Sequence, residues 1–197
     1  MSNTKLVFGD VPNSESNFKP GFEPGIFENV MIIGADYVDN MEEGSNPRVD
    51  IKFSDKEGTI ESIVRQYTNE TVGGGKKTSS MQVSLKNAKH ICNAVLTEAE
   101  KGSIVGEDQL ALLLSMLNTC MGKPYRMKFI GKEYINKDGN VGIRVAIGFP
   151  NFAEPMSVPK DKSLLRFNIN NAYDYNRVSL PTNHFDSSGT KDTDIKL

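Results

Sequence analysis

The sequence predicts a mainly β fold with a helical insertion, and two patterns in the 197-residue chain indicate this class. Apolar and polar residues alternate with a period of two before residue 70 and again after residue 124, which is typical of half-buried strands. Between these stretches, over residues 80–121, apolar residues recur at the spacing of amphipathic helices. The chain length and the 38% of hydrophobic residues suit a single domain with one core.

Three strands are expected before the insertion. Residues 27–38 are apolar on both sides, which indicates a strand that is buried on both faces or bent at Gly34. Residues 48–53 alternate cleanly, and residues 59–67 are rich in β-branched side chains. The polar turn at residues 55–58 is typical of a hairpin between the last two. The first part of the chain is therefore predicted to be a three-stranded meander.

The insertion contains two predicted helices. A stretch rich in Gly, Lys and Ser, residues 71–80, is expected to form a flexible basic loop before them. The first helix then begins at an N-cap, Ser79 or Ser80, and ends at a C-cap, Gly102. The second helix runs over about residues 106–121, where a Gly-Lys-Pro sequence stops it.

Two more strands, residues 125–130 and 141–149, are expected on either side of a hairpin loop at residues 136–140. Three strands, two helices and a strand pair are the order found in the five-stranded Greek-key barrel of the OB type, with helices between strands 3 and 4. A meander with a helical lid in another α+β fold would give the same order. The sequence thus predicts an OB-type barrel and leaves that alternative open.

The parts of the chain outside the barrel are expected to be irregular. Composition indicates a flexible N-terminal arm over residues 1–25, the barrel over residues 26–152 with inserted helices at 80–121, and an irregular extension with a disordered tail over residues 153–197. The start of the chain does not resemble a secretion signal, and its longest apolar cluster is too short to span a bilayer. We therefore expect a cytoplasmic protein without membrane contact.

The candidate functional residues are cations and aromatic rings. On the last two strands, apolar side chains take one face and cations take the other, while residues 65–90 carry five Lys or Arg residues against one acid. A groove of this kind suits single-stranded nucleic acid, because cations contact phosphates and rings stack on bases. The alternative is a solvated strand face that simply carries charge. The candidate contacts are Lys52, Arg65, Tyr67, Lys76, Lys77, Arg126, Lys128, Lys132, Tyr134, Arg144 and Phe152.

No catalytic site, metal site or cofactor is predicted. Residues 71–78 lack the phosphate-loop pattern, because Lys77 occupies the Ser/Thr position and Glu70 the first glycine. The chain has two histidines and no Cys-x-x-Cys pair, so neither a catalytic triad nor a zinc site can be assembled. Cys92 and Cys120 both fall in helical segments, where we expect buried thiols without a disulfide.

Four features of the chain resemble the phage-encoded single-stranded DNA-binding proteins of the OB class. They are the run Pro24–Val30 leading into a long first strand, the alternating strand Arg48–Phe53, the helical insertion, and the segment Gly122–Ile130 before the last hairpin. The resemblance implies sequence-independent binding to single-stranded DNA during replication and recombination, in the host cytoplasm. The oligomeric state stays open, and a homo-oligomer is compatible with the sequence.

The ends of the chain suggest two further interpretations. The last residues, Asp192–Leu197, alternate acids with hydrophobes, similar to the acidic tails with which bacterial-type single-stranded DNA-binding proteins recruit replication or recombination partners. An ordinary frayed terminus is the alternative. The rival function is a structural or virion-type assembly protein, in which residues 1–25 and 150–197 would wrap neighbouring subunits.

Overall fold

The computed structural model describes residues 19–39, 46–73, 76–148 and 151–178. Strands predominate, and three helices lie between the third and sixth of them. The elements are β1 (Gly25–Val38), β2 (Arg48–Ser54), β3 (Glu61–Tyr67), β4 (Glu70–Gly73), β5 (Lys76–Ser79), α1 (Ser80–Val95), α2 (Glu98–Gly102), α3 (Gln109–Thr119), β6 (Tyr125–Ile135), β7 (Val141–Ala146), β8 (Ala153–Pro155) and β9 (Tyr175–Asn176).

The main sheet has the strand order β3-β2-β1-β6-β7, with antiparallel neighbours. The predicted mainly β class with its helical insertion is confirmed. The closed five-stranded barrel is not confirmed, because no hydrogen-bonded ladder joins β3 to β7 among the described residues. These two strands nevertheless approach each other, with Cα atoms within 8 Å. We call the gap between β3 and β7 the seam.

Strand β1 is shared by the two halves of the sheet. Its first part pairs with β6 and its second part with β2, and the pairing with β2 shifts register between Ile32 and Gly34. Asn29 has a positive φ of 56°, and the register with β6 shifts at the same place. A bent strand of this kind lets the sheet coil over one core, which agrees with the bend expected at Gly34.

Four phenylalanine rings form the centre of this core. Phe22 stacks on Phe129 with a centroid distance of 4.7 Å, and Phe53 meets Phe129 edge-on at 5.6 Å. Phe27 packs edge-on against Phe22 at 5.1 Å. Phe53 and Phe129 fall on the apolar faces that the alternation predicts and are buried, whereas Phe149, on the same predicted face, lies outside the described residues. Phe22 comes from the stretch assigned to the N-terminal arm, and its ring is buried in the core next to the seam.

The helices cover the other side of the core. Helix α1 packs on β3 and on α3, and α3 packs on β1. Both thiols are buried and free, as expected, with the Sγ atoms of Cys92 and Cys120 only 3.5 Å apart. A hydrogen bond with Cys92, together with burial, raises the pKa of the Cys120 thiol. This inner face of the helices is therefore part of the core.

Local structure differs from the predictions in three places. Within residues 71–80, expected as a loop, residues 71–73 and 76–79 belong to the paired antiparallel strands β4 and β5, and β5 leads directly into α1. The first predicted helix is divided, because Thr97 begins a new helix with a capping box. Strand β6 continues to Ile135, beyond the strand expected at residues 125–130. The N-cap of α1 is Ser79, as predicted, and its side chain accepts a hydrogen bond from Gln82.

Candidate nucleic-acid interface

Arg126 is not on an exposed cationic face, which corrects the prediction. It is 5% exposed, and its guanidinium group contacts two carboxylates, Glu154 and Glu28, with Nη2 3.0 Å from Glu28 Oε1. Nη1 also donates to the carbonyl of Val158 at 3.1 Å. Hydrogen bonds from Lys160 and Arg126 outweigh burial and lower the pKa of Glu28. Arg126 therefore anchors the C-terminal extension.

Lys128 and Phe152 are also buried, so neither belongs to the exposed interface that the sequence predicts. Lys128 is 7% exposed, and its Nζ lies 2.9 Å from Asp174 Oδ1. Phe152 is fully buried, and its ring centroid is 4.7 Å from that of His90. Sequence alternation placed Arg126 and Lys128 on the side of β6 opposite the core. That side is covered by residues 151–178, which pair with β6 through β8 and β9.

Three of the other candidates lie outside the seam itself. Lys52 is exposed on β2, where its Nζ is 3.1 Å from Asp36 Oδ2. Lys76 and Lys77 belong to β5, with their backbones paired to β4. Strand β5 ends one residue before Ser80, which lines the seam. The hairpin that carries these two lysines thus adjoins one end of the seam.

The remaining five candidates are brought together by the seam. They are exposed side chains from both of its edges and from β6 beside them: Arg65, Tyr67, Lys132, Tyr134 and Arg144. They line two clefts that follow one another along the seam. The polar cleft, of about 250 Å³, contains Arg65, Tyr67 and Lys132, with Ser80, Ser84 and Asn87 from the start of α1. The aromatic cleft, of about 540 Å³, contains Tyr134, Arg144, Ile63, Ile143, Ile169 and Tyr175.

On the β6–β7 side, cross-strand pairing fixes the positions of a ring and two cations. Lys132 lies opposite Arg144, and Tyr134 lies opposite Gly142. A Cβ atom at Gly142 would be 2.7 Å from Tyr134 Cζ, so the glycine leaves room for the ring to lie over β7. The Arg144 guanidinium carbon is 5.3 Å from the centroid of that ring, which is a cation–π contact. This contact orients both groups before any ligand arrives.

On the β3 side, the end of the strand is fixed to helix α1. Ser84 Oγ donates to the carbonyl of Tyr67 at 2.8 Å, and Asn87 Nδ2 donates to Gln66 Oε1 at 2.7 Å. With Gln66 turned inward, its neighbour Arg65 faces solvent, and Tyr67 keeps 39% of its surface exposed. Both edges of the seam therefore carry a cation and a ring on a rigid frame.

The balance of charge in the clefts is positive. Their lining residues include three cations and one acid, Glu23. Sequence reasoning missed the apolar members of the aromatic cleft, above all Ile63, which is 51% exposed, and Tyr175. The period-two pattern marks such residues as strand residues but does not show that an open seam exposes them. Burial raises the pKa of Tyr175, and a hydrogen bond with the Glu133 carboxylate and its negative charge raise it further.

No family model matches the chain, and comparisons with curated proteins and with solved structures find no match. Among the helices in the described ranges, none has both the length and the apolarity needed to cross a bilayer. The functional interpretation therefore depends on the geometry and chemistry of the seam.

Proposed function

We propose that this protein binds single-stranded DNA along the seam, independently of sequence, and acts on exposed strands in replication or recombination. The observation that carries the proposal is the pairing of cations with exposed tyrosines on the two sides of the seam. Arg65 and Tyr67 stand on β3, and Lys132, Arg144 and Tyr134 stand on β6 and β7. Cations contact phosphates, and aromatic rings stack on bases of any identity.

The exposure of the rings favours single strands over duplexes. Tyr67 and Tyr134 are 39% and 42% exposed. An exposed ring can stack only on a base that is not already stacked on its neighbours, as in a single strand. The bases of a duplex are paired and stacked, so a duplex would be limited to phosphate contacts. Sequence independence follows from stacking, because every base has a π-face.

The strand order supports an OB-type assignment for the barrel. A sheet ordered β3-β2-β1-β6-β7, with helices between β3 and β6, has the connectivity of that class. OB folds bind oligonucleotides across the face of their second and third strands and the neighbouring loops. The seam borders the third strand, so the proposed site and the proposed fold agree. A relationship to the phage-type single-stranded DNA-binding proteins is part of the same proposal.

Fluorescence anisotropy with labelled oligo-dT of about 20 nucleotides tests this function. The three phosphate contacts of the seam alone give a slope of log K against log salt of about −2, so affinity should fall at least about 20-fold between 50 and 200 mM salt. A duplex of equal length should bind more weakly at both salt concentrations. The absence of binding at 50 mM salt, or equal affinity for the duplex, would refute the proposal.

One observation argues against the alternative function, an assembly protein. Residues 150–197 would wrap neighbouring subunits in that alternative, but the part of them that the structure describes, residues 151–178, is fixed to the sheet of its own chain. The buried contacts of Arg126 with Glu154 and of Lys128 with Asp174 hold them there. If oligo-dT does not bind while light scattering shows large homo-oligomers, the assembly function becomes the better account.

A further inference from the structure

Tyr173 is the most exposed of the large hydrophobic side chains in the described residues, at 86%. It stands on a turn that is firmly built. Asn171 Oδ1 accepts a hydrogen bond from the backbone N of Tyr173 at 3.0 Å, and Asn168 Oδ1 accepts one from Asn170 N at 2.9 Å. Asp174, the next residue, is fixed to Lys128. A rigid turn therefore holds an aromatic ring in solvent. The ring contributes almost no buried apolar surface to the fold of its own chain.

A third cleft, of about 460 Å³, lies beside this ring. Its walls include Leu164, which is 70% exposed, and the amide side chains of Asn151 and Asn171. Arg166 lines the same cleft, and its Nη1 donates to the carbonyls of Ser163 and Leu165 at 2.6 and 2.7 Å. These bonds hold the guanidinium group in place on an otherwise exposed residue.

The third cleft and the aromatic cleft are lined by neighbouring residues of the same segment of chain. Ile169 and Tyr175 line the aromatic cleft, whereas Asn171 and Tyr173 line the third cleft, so a single turn of chain separates the two. The charge of this region suits a polyanion, because residues 156–178 carry four Lys or Arg residues against two acids. One of these acids, Asp174, is already neutralised by Lys128.

We propose that the third cleft is a second contact site for the same single strand, which leaves the aromatic cleft and crosses the 168–175 turn. Tyr173 stacks on a base there, and Arg166 contacts a phosphate. This inference rests on the proposed function of the seam and extends it by naming the path of the strand. The amides of Asn151 and Asn171 can donate to and accept from base edges, as single-stranded ligands allow.

The length of the ligand distinguishes the second site from the seam. An oligo-dT of about 6 nucleotides, near the lower limit for one OB domain, would occupy the seam alone, and one of about 20 nucleotides would reach both sites. We expect the Tyr173→Ala/Arg166→Gln double variant to lose at least about fivefold in affinity for the long oligonucleotide, because stacking on one ring is worth that much or more. Its affinity for the short one should equal that of the wild type.

Two matched variants control the experiment. Tyr173→Phe keeps the ring and should bind the long oligonucleotide like the wild type, and Lys162→Gln removes an exposed cation that does not line the third cleft. Unchanged affinity of the double variant for the long oligonucleotide would overturn the second site while leaving the seam in place. An equal loss for both oligonucleotides would also overturn it. If the wild type binds neither, the proposed function fails first.

Discussion

The Asp174→Asn substitution would leave the ammonium group of Lys128 buried without an anionic partner. Both side chains are 9% exposed, and Lys128 Nζ lies 2.9 Å from Asp174 Oδ1. The second carboxylate oxygen, Oδ2, accepts a hydrogen bond from the backbone N of Asn168 at 2.9 Å. An amide has one acceptor oxygen, so one of the two donors loses its partner in either orientation of the new side chain.

The substitution is expected to lower the free energy of unfolding by a large amount. Removal of one partner from a buried ion pair usually costs about 3–5 kcal/mol, because the remaining charge is desolvated without compensation. The free energy of unfolding of an ordinary domain is roughly 5–15 kcal/mol, so the variant would lose much of its stability. With a urea m-value of about 2 kcal/mol/M, the unfolding midpoint should fall by roughly 1.5–2.5 M.

Urea unfolding followed by circular dichroism measures this change, and two variants control it. Lys162→Gln, an exposed substitution on the same extension, should change stability by less than about 0.5 kcal/mol. The Lys128→Met/Asp174→Asn double variant removes both charges, keeps an acceptor oxygen for Asn168 N, and should recover most of the loss. A midpoint for Asp174→Asn close to that of the wild type would refute the burial of the pair and return Lys128 to the exposed binding residues.

Two further predictions concern the buried ring of Phe22 and the carboxylate of Glu100. Phe22→Ala should lower the free energy of unfolding by about 3–5 kcal/mol, because a buried ring stacked on Phe129 is lost, and a change under 1 kcal/mol in urea would contradict its burial. A hydrogen bond from Lys123, together with hydrogen bonds from the backbone N and the hydroxyl of Thr97, lowers the pKa of Glu100 from 4.5 to about 2. Its stabilising effect is therefore present above pH 4.5 and lost as the pH falls toward 2. The difference in Tm between the wild type and Glu100→Gln should shrink over that range, and a constant difference would argue against the contact.

The alternation on β6 shows which part of the fold could be predicted from the sequence and which could not. Tyr125, Met127 and Phe129 were correctly assigned to the core, since a period of two separates the faces of a strand. The opposite face was wrongly expected to be exposed, because residues 151–178 have no period that would show where they pack. Their anchors are single acids that meet Arg126 and Lys128 at sequence separations of 28 and 46 residues. Such isolated long-range pairs leave no local pattern.

The seam itself could be predicted only in part. The order of strands and helices follows from local patterns, and it agrees with the observed sheet order. Whether β3 and β7 hydrogen-bond to each other depends instead on how strongly the sheet coils, which the bend in β1 determines. The exposure of Ile63 and the approach of Tyr175 to the aromatic cleft follow from that curvature and from the path of the extension.

The salt dependence of oligo-dT binding by a seam variant tests the central claim most directly. The triple variant Arg65→Gln/Lys132→Gln/Arg144→Gln removes the cations of both clefts, all of them from exposed positions.

A matched triple variant, Lys56→Gln/Lys89→Gln/Lys101→Gln, removes three cations that line neither cleft. Both should fold like the wild type, which circular dichroism can verify. The seam variant should bind weakly, with a slope of log K against log salt that is shallower by about 2, because each phosphate contact on a single strand contributes about 0.7. The matched variant should keep the wild-type slope. Equal slopes and affinities for the two triple variants would show that the nucleic acid does not bind in the seam.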